Sequence, residues 1–260
     1  MTRTGNTGPR PIAIVAALHA EIALLLQAMP DERRVRVAGR DFWHGHLEGR
    51  DVVVVLSRIG KVAAATTAAL LLDRFDASAV IFTGVAGGLG AGVAVGDVVV
   101  ATELLQHDLD ASPIFPRHEV PLTGMARFAT DGAWQQALAD ATQQVLAKPD
   151  AFLGDSARRE FALGAPRLHR GLIVSGDRFV STAAESTALR TALPDALAVE
   201  MEGAAVAQVC HDFGVPFAAL RIVSDRADDD AHRDFERFVA DVASRYSEAI
   251  VRRLLMAGTW

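Results

Sequence analysis

Short apolar runs alternate with amphipathic stretches along this chain, and that alternation constrains its fold more than any other feature. The β-rich runs lie at residues 12–18, 42–47, 52–57, 79–83, 97–104, 171–175, 197–201 and 217–224. Helical periodicity occupies 20–28, 61–75, 132–147, 184–193, 202–213 and 234–256. Strands that alternate with helices predict an α/β chain with a largely parallel, mixed central sheet and helices on both faces. Runs that are apolar throughout, such as 52–56, predict strands covered on both sides. No internal repeat or linker-like stretch interrupts the pattern, so one domain is expected over 11–260, preceded by a disordered tail at 1–10. The segment 106–125, with Pro113, Pro116 and Pro121, is predicted to be a long irregular loop.

Composition narrows the function. The chain has 260 residues, 50% of them hydrophobic and 22% charged, with a net charge of −6. This balance excludes intrinsic disorder and argues against nucleic acid as a partner, since duplex binding calls for a basic excess. Cys210 is the single cysteine. It excludes an internal disulfide and a cysteine-based zinc site, and it fits a reducing cytoplasm. Arg3 and Arg10 precede the first apolar run, but His19 and Glu21 end it at once, so it reads as a buried strand and not a signal peptide. No apolar stretch approaches the length of a membrane span.

Several familiar motifs fail. The glycine-rich segment 84–92 follows a strand, but no helix opens directly after it, as a dinucleotide fingerprint requires. Gly60-Lys61 lacks the rest of a P-loop, no Gly-x-Ser-x-Gly elbow is present, and the histidines lack zinc-type spacing. No metal or cofactor is expected. What remains is a set of acids at strand ends, where open α/β sheets bind ligands. Glu21 follows the first strand, Glu200 and Glu202 bracket Met201, and Asp225 follows Ser224. Each acid alone could cap a helix. Three such sites beside a glycine-rich turn are harder to explain as caps.

At these residues the sequence resembles the 5′-methylthioadenosine/S-adenosylhomocysteine nucleosidases of the nucleoside phosphorylase/nucleosidase superfamily. The likeness runs from about Ile12 to the C-terminus. Its segments are LHAE at 18–21, SRIGKVAAA at 57–65, TGVAGGL at 83–89, VGDVVV at 95–100, GLIVSGDRFV at 171–180, AVEMEGAA at 198–205 and RIVSDRAD at 221–228. The resemblance implies hydrolysis of the N-glycosidic bond of 5′-substituted adenosines: 5′-methylthioadenosine, S-adenosylhomocysteine and, as a further candidate, 5′-deoxyadenosine. It implies Asp225, with Ser224 beside it, as the acid at adenine N7, and Glu21 as the carboxylate that handles the attacking water. Glu202 would bind the ribose hydroxyls, with Met201 beneath the sugar. Phe179 and Val180 would face the purine, Ala86 and Gly87 would approach sugar and base through the backbone, and Leu18, Ile59 and Phe235 would wall the 5′-substituent. It also implies a homodimer in which the loop 107–124 lies near the neighbour's active site, an expectation that the apolar Ile114 and Phe115 strengthen.

The departures leave alternatives open. Val85 stands where many of these nucleosidases have Ser, Leu18 where they have Met, and the loop 107–124 diverges after its His-Asp opening. A nucleoside phosphorylase of the same superfamily would carry Arg and Ser where this chain has Phe82 and Val85, but Arg58 is a candidate anion contact. A 6-amino-6-deoxyfutalosine nucleosidase and an inactive nucleoside sensor complete the set. The presence of all three acids argues against the sensor.

Overall fold

The computed structural model describes residues 10–227 and 235–258. The tail expected at 1–10 therefore lies outside the described residues except for Arg10. Asp228 of the last motif and Asp234, the expected start of the final helix, also lie outside them. Arg10 is anchored, donating to the carbonyls of Asp76 and Ala77 at 3.0 and 3.1 Å.

The chain begins β1 (Ile12–Ala16), α1 (His19–Gln27), β2 (Arg33–Val37), β3 (Arg40–Leu47), β4 (Arg50–Leu56), α2 (Lys61–Arg74) and β5 (Ala79–Phe82). It continues through β6 (Val85–Gly88), β7 (Val98–Gln106), β8 (Arg127–Ala129), α3 (Gly132–Leu146), α4 (Asp155–Glu160) and β9 (Leu168–Ser175). It ends with α5 (Ala183–Ala192), β10 (Ala196–Glu200), α6 (Gly203–Phe213), β11 (Phe217–Asp225), α7 (Phe235–Phe238), a π-helical stretch Val239–Ala243 and α8 (Ser244–Ala257). The predicted strands and helices recur with shifted ends. β2, β6, β8 and α4 are additional.

The sheet order is β2-β3-β4-β1-β5-β11-β6-β10-β9-β7-β8, and β11 also pairs with β7. The mixed sheet flanked by helices is as expected, but this last pairing closes part of it where an open sheet was expected. The strands β11, β6, β10, β9 and β7 return on themselves as a closed, barrel-like ring. Six of the described pairings are parallel and five antiparallel. Register shifts at Val223/Asp225, Ala196/Ala198 and Ala101/Glu103 bend the strands as closure demands. The long strand β11 is the hinge of this arrangement. Phe217 to Ala219 lie beside β5, whereas Ile222 to Asp225 lie beside β6.

Alternate residues of the central strands feed two cores. Ile12, Ile14, Val52, Val54, Leu220 and Ile222 join the side chains of α1, α3 and α8. Ala13, Val15, Val53, Val55, Ala219 and Val223 join those of α2 and α6 on the opposite face. Helices on both faces thus follow directly from strands that are apolar at every position. By contrast, β2 has the sequence RRVRV and is exposed over most of its length, a charged edge that discourages further pairing.

Candidate active site

A cleft of about 790 Å³, counting its mouth open to solvent, lies at the carboxyl ends of β1, β4, β5, β9, β10 and β11. All the residues implied by the resemblance line it together: Leu18, Glu21, Ile59, Ala86, Gly87, Phe179, Val180, Met201, Glu202, Ser224, Asp225 and Phe235.

Glu21 sits in the first turn of α1 and is buried. Its Oε2 accepts from the N–H groups of Ala17 and Leu18 at 3.0 and 2.8 Å, and its Oε1 accepts from Val85 at 3.1 Å. The carboxylate therefore caps its own helix and also reaches a second segment of the sheet. Gly84 makes this approach possible: a Cβ there would come 3.0 Å from Glu21 Oε1. Burial pushes the Glu21 carboxyl above the usual carboxylate range, against its backbone donors and the charge of Arg221.

Glu202 occupies the N-cap position of α6 without capping it. Its Oε1 instead accepts from the Gly60 N–H at 2.8 Å. Burial, followed by the nearby charge of Glu200, pushes its carboxyl up to about 8. Asp225 is half-buried at the end of β11. Ser224 Oγ donates to its Oδ2 and the Ala227 N–H to its Oδ1, both at 2.7 Å. Gly87 leaves room for this carboxylate, since a Cβ there would lie 3.0 Å from Asp225 Oδ1 and 2.9 Å from the Ala227 methyl group. At the mouth, the Phe179 and Phe235 rings meet edge to face at 6.2 Å. Among the described residues no group of three or more His, Cys, Asp or Glu side chains is arranged to hold a metal ion. No helix there is long and apolar enough to cross a membrane.

Comparison with known proteins gives this geometry a family. A family model described as Phosphorylase superfamily matches residues 11–256. A 5′-methylthioadenosine/S-adenosylhomocysteine nucleosidase from Shewanella frigidimarina is 37% identical over 246 residues, covering 94% of this chain and 98% of its own length. The chain belongs to the 5′-methylthioadenosine/S-adenosylhomocysteine nucleosidase family. The Neisseria meningitidis nucleosidase, solved in complex with methylthio-immucillin-A, superposes with a TM-score of 0.80 at 38% identity, covering 96% of this chain and 100% of that one. The Colwellia psychrerythraea nucleosidase, solved with adenine, gives a TM-score of 0.82 at 32% identity, covering 96% of each chain.

Within this nucleosidase cleft, sequence reasoning missed a buried ion pair. Arg221, 2% exposed, stands in the middle of β11. It donates to Glu200 Oε2 at 2.7 Å and to the carbonyls of Phe82 and Leu220 at 3.1 and 2.9 Å. Its guanidinium lies 4.1 Å from the centroid of the Phe82 ring. Glu200 in turn accepts from Ser175 Oγ and from the Glu202 and Gly203 N–H groups, which fixes the start of α6. The available signal was an arginine inside an otherwise apolar strand, which requires a buried partner. Arg58, the candidate anion contact, points away. It donates to the Gly39 carbonyl and does not line the cleft.

Proposed function

We propose that this chain hydrolyses the N-glycosidic bond of 5′-methylthioadenosine and S-adenosylhomocysteine, releasing adenine and the free ribose sugar. The observation that carries the reading is a cleft lined by four carboxylates, Glu21, Glu200, Glu202 and Asp225, whose two lining arginines are both already paired. Arg221 is bound to Glu200 and Arg178 to Glu185. A phosphorylase needs cationic or hydroxyl donors for its anion. Phe82 and Val85 supply neither through their side chains, and a carboxylate beside the nucleophile repels phosphate but suits water.

Bond cleavage builds positive charge on the ribose and negative charge on the departing purine. Asp225 donates a proton to N7 as the base leaves, and Glu21 takes the proton of the water that attacks C1′. A base whose pKa is raised by burial is better matched to proton transfer near neutral pH than an ordinary carboxylate. Glu202 hydrogen-bonds the ribose hydroxyls and fixes the sugar relative to the water. Met201 lies beneath the sugar, and Phe179 and Val180 close the purine side. Ala86 and Gly87 allow close backbone approach, while Leu18, Ile59 and Phe235 wall the 5′-substituent. Adenine release in phosphate-free buffer, at a rate that added phosphate does not raise, tests the reaction. A ribose 1-phosphate product would refute it.

The same reading extends to assembly and location. Ile114 and Leu122 are 81% and 90% exposed in the loop 107–124, an apolar surface that a single copy gains little by showing to water. A two-fold homodimer with this loop beside the neighbouring cleft would cover it, in a cytoplasmic setting. Sedimentation at micromolar concentration should give a dimer, and a monomer there would remove the dimer from the proposal.

A further inference from the structure

Three residues outside the cleft lining close a ring of hydrogen bonds next to Glu202. The Lys61 N–H donates to Asp177 Oδ1 at 2.6 Å. The Asp177 N–H donates to Asp108 Oδ2 at 2.8 Å. The Lys61 ammonium donates to Asp108 Oδ1 at 2.6 Å and completes the ring. Its members come from the first turn of α2, the segment after β7 and the segment after β9, so it fastens three strand-end loops that are distant in sequence. None of the three lines the cleft. The Lys61 and Asp108 side chains are only 15% and 30% exposed, where an ion pair is screened less than on an open surface.

The ring is one peptide away from the site. Gly60 directly precedes Lys61, and its N–H is the donor to Glu202 Oε1. Gly60 has a φ of +91°, and a Cβ there would come 3.0 Å from Asp177 Oδ1. The turn is thus held in a left-handed conformation against the ring's own carboxylate. The direction of the Gly60 N–H follows from where Lys61 and Asp177 hold that peptide.

We propose that Lys61, Asp108 and Asp177 form a positioning ring that aims the Gly60 N–H at Glu202 and so sets where the ribose acceptor stands. Lys61 and Asp108 are positioning residues that touch no substrate. The proposal rests on the reading of Glu202 as the ribose acceptor. A misplacement of about 1 Å caused far from the reacting atoms can cost on the order of 100-fold in rate.

The test compares Lys61→Met, Asp108→Asn, the double variant and Glu202→Gln on 5′-methylthioadenosine and on its 2′-deoxy analogue. Each single ring variant is expected to lose about 10- to 100-fold in kcat/KM on the riboside and clearly less on the 2′-deoxy substrate. The double variant should lose no more than the worse single, because one break opens the ring. Lys61→Arg, which keeps the charge and the reach, should recover most of the activity. Equal losses on both substrates in the ring variants, with Glu202→Gln still discriminating between them, would overturn the ring's role while leaving Glu202 in place. Additive losses in the double variant would overturn it as well. If Glu202→Gln itself loses equally on both substrates, the ribose reading fails first and the ring falls with it.

Discussion

The floor and the rim of the cleft are built by opposite rules. On the floor, Glu21, Glu200, Glu202 and Arg221 are buried, and each is bonded to backbone or side-chain groups of another part of the fold. On the rim, Ile59 is 60% and Phe179 45% exposed, and both offer apolar surface that meets a ligand without directional bonds. Where charge develops, a site gains most from dipoles fixed in advance, because they need not reorganise during reaction. Where a substituent only has to be covered, apolar area suffices and tolerates variation. On the proposed reading, the reaction would be set by the floor, and the fit of the 5′-substituent by rim residues such as Ile59.

The sharpest way to break this contrast is to remove the groups proposed to move protons, Glu21 on the floor and the half-buried Asp225. Glu21→Gln and Asp225→Asn should each lower kcat by about 100- to 10,000-fold while leaving adenine binding largely intact, read by single-turnover assay and calorimetry. Near-normal kcat in Asp225→Asn would leave Asp225 only its local bonds to Ser224 and Ala227. The next effect is on stability. Arg221→Met leaves Glu200 buried without its cation and should cost about 3–5 kcal/mol in urea unfolding. Adding Glu200→Gln should recover part of that loss. If Arg221→Met alone is neutral, the floor is not held by this pair.

Much of the floor was legible because each acid interrupts an apolar run at a strand end. Glu21 is both a cap and a cleft residue, since the same carboxylate that accepts from Leu18 also accepts from Val85 and lines the cleft. Arg221 was not legible as a partner of Glu200, because nothing local in either segment announces a contact across 21 residues. The closed ring escaped for a related reason. The pairing of β11 with β7 is non-local, and β6 is half glycine, a composition that reads as a turn. β2 was missed because its charged residues lack the apolar face by which strands are recognised.

A smaller effect follows from the raised carboxyl of Glu202. It titrates at about 8 in the folded protein, against 4.5 for an unperturbed glutamate. Between those values the native state keeps a proton that the unfolded chain has released. Its contribution to stability is complete below about 4.5 and is lost as pH rises through about 8. Glu21, raised in the same direction, adds to the trend. The melting temperature of the ligand-free protein should fall by several degrees across this window, and Glu202→Gln should flatten the slope. An unchanged slope in that variant would show that Glu202 is not the group responsible.

The smallest effect should come from the rim. Ile59 stands at the mouth, more than half exposed, so trimming its side chain removes little buried area and no hydrogen bond. Ile59→Ala should leave kcat unchanged and shift KM by at most about 10-fold, in line with the loss of a few partly covered methylene groups. The shift should depend on the substrate. If Ile59 walls the 5′-substituent as proposed, a short methylthio group would lean on it for much of its contact, whereas a homocysteinyl chain would extend beyond it. Ile59→Ala should therefore lower the preference for 5′-methylthioadenosine over S-adenosylhomocysteine. A large fall in kcat, equal for both substrates, would mean that the rim also helps to fix the reacting atoms, and the division between floor and rim would fail.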